Sequence, residues 1–307
     1  MCLDILRSIG YDLCNELLQM FDKIGVNRIY DYHARISLYN ACCATLGVNC
    51  SKIEQLCSSQ KVETYKISDF VTFLYELWLM CHVYLATNST SVTGAWELHS
   101  RGNKVVDSLK HNRTTIADLL WDITAYIGYL KALVGVHAQS FINRLIKDYG
   151  LNQHEANMYI QICQNFRCPD SPDIVVTRPL SSKQRRLISP NAKPGYQVWQ
   201  ILDKILLIIE AKLGCSCTFE RNIEERCDWT INQALGYSLL FGRKGARVII
   251  ASLTDFCCKD NLKQMIDEIK SKYEIKVDIK LIDNLRPGNS KAINEFHESI
   301  RELFYRG

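Results

Sequence analysis

Through the first half of the chain, apolar residues recur every three to four positions. The run Ile116, Leu119, Leu120, Ile123, Ile127, Leu130 and Val134 is the most regular, and Thr115 with Asp118 makes a capping-box-like start for a helix there. Similar spacing predicts helices over Leu3 to Lys23, His33 to Leu46 and Asp69 to Ala86, with Ser68 as N-cap of the last. A Ser/Thr/Asn-rich stretch, Thr87 to Gly94, reads as a loop. Residues 1–150 are therefore expected to form an all-helical domain serving recognition, dimerisation or sensing.

The pattern changes at Cys168-Pro169-Asp170-Ser171-Pro172-Asp173, which breaks a helix and leads into the β-branched run Ile174-Val175-Val176. Ile205 to Ile209 is an unbroken aliphatic run suited to a central strand, Trp229 to Leu240 reads as helix and Ala246 to Ala251 as strand. A helix over Asp260 to Tyr273, a strand over Ile275 to Ile282 and a helix over Ser290 to Tyr305 follow. Such alternation predicts an α/β domain over residues 151–307, a mixed sheet flanked by helices.

Composition narrows this little. Of 307 residues, 47% are hydrophobic and 23% charged, as in ordinary globular chains, and a net charge of +4 is too small to name a polyanionic partner. The apolar stretch Phe70 to Ala86 carries Glu76 and His82 and is too short to span a bilayer, so a buried helix and no membrane partner are expected. The N-terminus lacks a basic leader ahead of an apolar run, which predicts a cytoplasmic protein. Fourteen cysteines, none spaced Cys-x-x-Cys, read either as small buried hydrophobes or as disulfides.

The chemistry-bearing segment is Ile205-Leu206-Leu207-Ile208-Ile209-Glu210-Ala211-Lys212. On a strand, Glu210 and Lys212 project to the same face. Asp203 is an odd number of residues away and falls on the other face, so a second acid must come from a neighbouring strand. Asp173, at the mouth of Ile174 to Val176, is placed to supply it. Two carboxylates and an ammonium group suit phosphodiester hydrolysis, since hard oxygen ligands hold Mg²⁺ or Mn²⁺ and the ion stabilises phosphate charge and acidifies bound water.

Pro172-Asp173 before one strand and Glu210-Ala211-Lys212 ending the next resemble the PD-(D/E)XK nuclease superfamily, which has a restriction-endonuclease-like fold. Gln233-Ala234-Leu235-Gly236-Tyr237, on the following helix, resembles the Gln-x-x-x-Tyr motif of its RecB-like branch. Four apart, Gln233 and Tyr237 share a helix face. The resemblance covers roughly residues 150–255. It implies a Mg²⁺-dependent deoxyribonuclease leaving 5′-phosphates, with Asp173 and Glu210 as metal ligands, Lys212 positioning the attacking water, and Gln233 and Tyr237 in the catalytic set; the branch includes exonuclease-type members, and an endonuclease is the expected mode here. A further acid on the helix before the first catalytic strand is common in the family, and Glu155 is the candidate. Cys257-Cys258 does not reproduce the clustered cysteines of iron–sulfur relatives, so no cluster is expected. The alternative is an inactive nuclease-fold module that binds nucleic acid or senses a nucleotide.

Between Asp173 and Glu210 lies an insertion holding Arg178, Lys183, Arg185, Arg186 and Lys193, with no acid from Arg178 to Lys193. It reads as a flexible basic loop able to clamp a nucleic-acid backbone, with Tyr196 and Trp199 beyond it as stacking candidates. DNA is the expected polymer, and a homodimer is compatible with the helical first half.

Overall fold

The computed structural model describes residues 2–30, 38–48, 51, 67–98, 105–122, 138–165, 168–169, 171–188, 198–214, 223–242, 245–257, 259–273 and 278–305. A long helix α1 (Cys2–Ile24) leads to strand β1 (Arg28–Tyr30). After a π-helical turn, Asn40–Thr45, come helix α2 (Ile67–Ala86) and strands β2 (Thr90–Ser91), β3 (Ala95–Glu97), β4 (Val105–His111) and β5 (Thr114–Trp121). Helices α3 (Ala138–Tyr149) and α4 (Gln153–Asn165) precede strand β6 (Ile174–Thr177), a short helix α5 (Ser182–Leu187), a 3₁₀ turn Val198–Lys204 and strand β7 (Ile205–Lys212). The chain continues through α6 (Ile223–Phe241), β8 (Arg247–Ser252), α7 (Lys259–Tyr273), β9 (Ile279–Ile282) and α8 (Ser290–Tyr305).

Seven strands form one mixed sheet in the order β2-β4-β5-β6-β7-β8-β9, and β1 pairs with β3 in a separate two-stranded ribbon. The strands from β2 to β7 are antiparallel, whereas β7, β8 and β9 are parallel. Both faces of the sheet are covered, so its central strands are apolar on both sides. Leu119, Ile174, Val176, Leu207, Ile209 and Ile249 join α1, α2 and α8 in one core. Leu120, Val175, Ile208, Val248 and Ile250 join α3, α4 and α6 in the other.

This architecture corrects the expectation of an all-helical first half. Helices α1 and α2 stand where spacing placed them, but Thr114–Trp121 is a strand, and the sheet takes strands from both sides of residue 150. A strand with two buried faces has no polar alternation to betray it, so Ile116, Leu119 and Leu120 mimic a helical stripe. The turn before it was the better signal. Asn112 and Arg113 both adopt positive φ (47° and 68°), the conformation of a two-residue I′ hairpin joining β4 to β5. Residues 123–134 of the expected helix lie outside the described residues, as do 33–37 and 275–277 of two other expected elements. In the second half, the remaining strands and helices follow the sequence reading within a few residues.

Both readings of the cysteines are represented. Cys14–Cys42 and Cys163–Cys168 are disulfides, and Cys81 is a buried free thiol. Among the described residues, no helix is long and apolar enough to cross a membrane.

Candidate active site

The register of three adjacent strands builds the site. Trp121 pairs with Ile174, Ile174 with Ile209 and Ile209 with Ile249. One residue further, Asp122, Asp173 and Glu210 stand side by side in a single row across β5, β6 and β7. The row is tied by backbone and side chain: the Asp122 amide donates to the Asp173 carbonyl at 2.8 Å, and the Ala211 amide donates to Asp173 Oδ2 at 2.7 Å. Lys212, on the same face as Glu210, donates from Nζ to Glu210 Oε1. The insertion between Asp173 and Glu210 thus does not prevent β6 and β7 from pairing.

Two members of this constellation were missed from sequence. Glu76, on α2, receives a 2.7 Å hydrogen bond at Oε2 from the Trp121 indole, and its carboxyl interacts electrostatically with Asp122, Glu210 and Lys212. Its signal was a carboxylate in the middle of a largely apolar helix, about two turns past Asp69. Asp122, at φ 49°, ends β5 in the left-handed region, in a segment taken for helix interior.

Glu210, Asp173 and Glu76 thus act on one ammonium group, that of Lys212, with Asp122 beside Glu76. Burial, reinforced by Glu210 and Glu76, holds the Asp173 carboxyl well above the usual range. Burial also raises Glu76, to about 8; Asp122 and Glu210 add to the effect, against the Trp121 hydrogen bond and Lys212. Asp122 is raised by burial alone. For Lys212, burial acts to lower the pKa, but Glu210 and Asp173 outweigh it and the ammonium is held above its ordinary value. Lys212 is therefore charged at neutral pH and acts as a hydrogen-bond donor.

The sign of the Glu76 shift gives a stability prediction. Between its ordinary value of 4.5 and about 8 the folded protein keeps a proton that the unfolded chain releases, so stability falls as pH rises through that window. Glu76→Gln should flatten the slope of unfolding free energy against pH by up to about 1.4 kcal/mol per pH unit, while the remaining slope of the same sign belongs to Asp173 and Asp122. Urea unfolding between pH 5 and 8 in the presence of a chelator measures this. An unchanged slope in the variant would remove Glu76 from the coupled cluster.

The donor set fits a hard divalent cation. Glu210 is 3% exposed, and its Oε2 is buried with no hydrogen-bond partner, leaving an unsatisfied carboxylate oxygen beside the Asp173 carboxyl. Among the described residues no group of three or more His, Cys, Asp or Glu side chains forms a ready-made metal cage. A hydrated ion held by two carboxylates, with water and substrate oxygens completing the shell, is the usual arrangement for Mg²⁺.

Glu155 is not part of the cluster. Its Oε2 accepts from the Asn152 amide at 2.7 Å, and its own amide donates to Asn152 Oδ1 at 2.8 Å, a reciprocal capping box that starts α4. The helix-borne acid near Asp173 and Glu210 is Glu76 on α2.

Gln233 and Tyr237 lie on α6 beneath the site. Gln233 Nε2 donates to the Tyr237 hydroxyl at 2.9 Å, and that hydroxyl donates to the Ser171 carbonyl at 2.8 Å. Tyr237 is 1% exposed, so it cannot meet substrate and instead anchors the segment two residues before Asp173. Tyr237→Phe should lose about 1 kcal/mol of stability, as measured by urea unfolding. Stability equal to that of the parent chain would show that this anchor contributes nothing.

The basic insertion is more ordered than a flexible loop. Ser181 and Gln184 form a capping box that starts α5. Arg185 donates to Asp118 Oδ1 at 2.8 Å, to Ser108 Oγ at 3.0 Å and to the Leu180 carbonyl at 3.3 Å, so it is a fixed side chain. Arg178, Lys183 and Arg186 are exposed. Lys193 and Tyr196 lie outside the described residues, and the Trp199 side chain is likewise not described.

The fold and site define an α/β protein with a mixed seven-stranded sheet and an acid cluster where β5, β6 and β7 meet. No known protein family and no curated protein matches the chain.

Proposed function

We propose that the chain is a metal-dependent nuclease that hydrolyses DNA phosphodiester bonds, acting as an endonuclease. The observation that carries this reading is the row of Asp173 and Glu210 on paired antiparallel strands, with the buried, unpartnered Glu210 Oε2 beside the charged Lys212. Further support comes from the order of β6, β7, α6 and β8, with β7 and β8 parallel, which is the arrangement implied by the PD-(D/E)XK resemblance.

In this reading Asp173 and Glu210 would hold Mg²⁺ or Mn²⁺, with Glu76 and Asp122 beside them. The bound ion supplies charge stabilisation at the phosphate and acidifies water. Lys212, kept protonated by the surrounding acids, orients the attacking water and donates to the phosphate. Glu210 holds Lys212 in place through Oε1, and the Ala211 amide fixes the Asp173 carboxyl. Arg186 and Lys183 on α5 supply cationic contacts to the polymer backbone.

The test incubates the full chain with closed circular and linear DNA, with Mg²⁺ or Mn²⁺ and with chelator. Cleavage of closed circles that needs the metal is expected. Metal-independent binding without cleavage of any DNA or RNA would overturn the enzyme reading and leave an inactive nucleic-acid-binding module.

A further inference from the structure

A second concave site lies beside the catalytic row, at the edge of β4. It is a cavity of about 410 Å³ between the β1–β3 ribbon and the first half of β4, lined among others by Tyr30, Glu97, Val105, Ser108, Arg185 and Arg186. We propose that this cavity binds one nucleotide of a single-stranded nucleic acid, with the base against the Tyr30 ring and the neighbouring phosphates on Arg185 and Arg186. The proposal rests on the nuclease reading for its biological sense, but the binding it describes is independent of cleavage.

The walls are built in advance. Asp118 is fully buried, and its carboxylate takes hydrogen bonds from the Ser108 hydroxyl, the Leu180 amide and Arg185. A buried carboxylate thereby fixes a guanidinium whose side chain remains 42% exposed at the cavity. Asp107, another lining residue, is satisfied inward by the hydroxyls of Tyr84, Ser91 and Thr93. Arg186 forms no ion pair among the described residues, and Tyr30 is a large aromatic left 48% exposed. An aromatic platform beside two guanidinium groups is the combination that holds single strands, stacking the base and neutralising phosphate.

Size and position select the ligand. A few hundred Å³ accepts a ligand of nucleotide size and excludes a base-paired duplex. Val105 pairs with Leu120, two residues before Asp122, so the cavity opens roughly 7 Å along the strand and roughly 10 Å across it from Asp173. Arg185 is hydrogen-bonded to Asp118 on β5, the strand that leads into Asp122. At roughly 3.4 Å per stacked nucleotide, a strand leaving the catalytic row reaches Tyr30 within a few nucleotides.

The experiment measures anisotropy of a fluorescent twelve-nucleotide single strand in chelator, where no metal-dependent cleavage takes place. Tyr30→Ala and Arg186→Ala should each weaken binding about tenfold, and Tyr30→Phe should restore it, because the ring and not the hydroxyl does the stacking. Arg186→Ala should also lower the slope of log affinity against log salt by about 0.7, and Tyr30→Ala should leave it unchanged. Both side chains are exposed, so the variants fold. Parental affinity in both alanine variants, or an unlabelled duplex competing as well as a single strand, overturns the proposal while leaving cleavage by the parent chain intact. Conversely, binding that depends on Tyr30 and Arg186 in a chain that cleaves nothing retains this site and removes the nuclease reading.

Discussion

Glu210→Gln should reduce metal-dependent cleavage by at least a hundred- to thousandfold and leave the protein as stable as its parent or more so. On the proposed reading, the loss of activity follows from removing one of the two carboxylates assigned to the metal, where charge stabilisation would be the main work. The gain in stability follows from the acid cluster. Asp173 and Glu76 are both raised in part by Glu210, so neutralising it relieves repulsion among buried carboxyls. Glutamine still accepts a hydrogen bond from Lys212. Lys212→Ala should have the opposite effect on stability, because Glu210, Asp173 and Glu76 then lose their cation, although cleavage is lost again. Thermal unfolding in chelator together with a cleavage assay separates the two effects. Destabilisation by Glu210→Gln, or retained cleavage in either variant, would defeat this account of the site. Catalytic clusters that destabilise the fold are the physical basis of the trade-off between stability and activity.

Gly236→Ala should destabilise the protein by about 1–3 kcal/mol, the reverse of the usual gain of up to about 1 kcal/mol when alanine replaces glycine inside a helix. A Cβ at Gly236 would lie 2.0 Å from Pro169 Cγ, far inside contact distance, so either α6 or the Pro169 segment must move. That segment is held from both sides. Tyr159 donates to the Pro169 carbonyl at 3.2 Å, and the Cys163–Cys168 disulfide closes it onto α4. Tyr237 donates to the Ser171 carbonyl on the other side. Displacement therefore reaches Asp173, and cleavage should fall even at temperatures where the variant is fully folded. Urea unfolding and cleavage at 20 °C test both parts. Parental stability would show that the chain accommodates the methyl group without moving the segment that carries Asp173.

Local signals in the second half placed most of its elements, the capped helix α5 in the expected loop being an exception. Pro169 and Pro172 ended a helix, β-branched runs marked β6, β7 and β8, and the period of two put Glu210 and Lys212 on one face. In the first half, α1 and α2 were equally legible from their apolar spacing. The hairpin of β4 and β5 was not, since a strand enclosed by helices on both faces has the same apolar density as a helix stripe. That misreading hid Asp122 and, with it, the connection between the two halves. Glu155 illustrates a second failure of local reasoning: an acid at the start of a helix is equally fit to cap that helix or to hold a metal, and the Asn152 partner decided for the cap.

By itself the sequence determined that β7 ends in an acid and a base on one face, because side-chain alternation along a strand is a property of the backbone. It also determined where helices α1, α2, α6 and α8 run, since amphipathic or apolar spacing needs no partner to be read. Only the tertiary structure decided which acids meet. Asp122, Asp173 and Glu210 form a row through hydrogen-bond register between strands distant in the chain, and Glu76 reaches them because α2 packs on that sheet. Convergence of like charges is a long-range outcome: it depends on which apolar faces bury each other, and no local spacing encodes it.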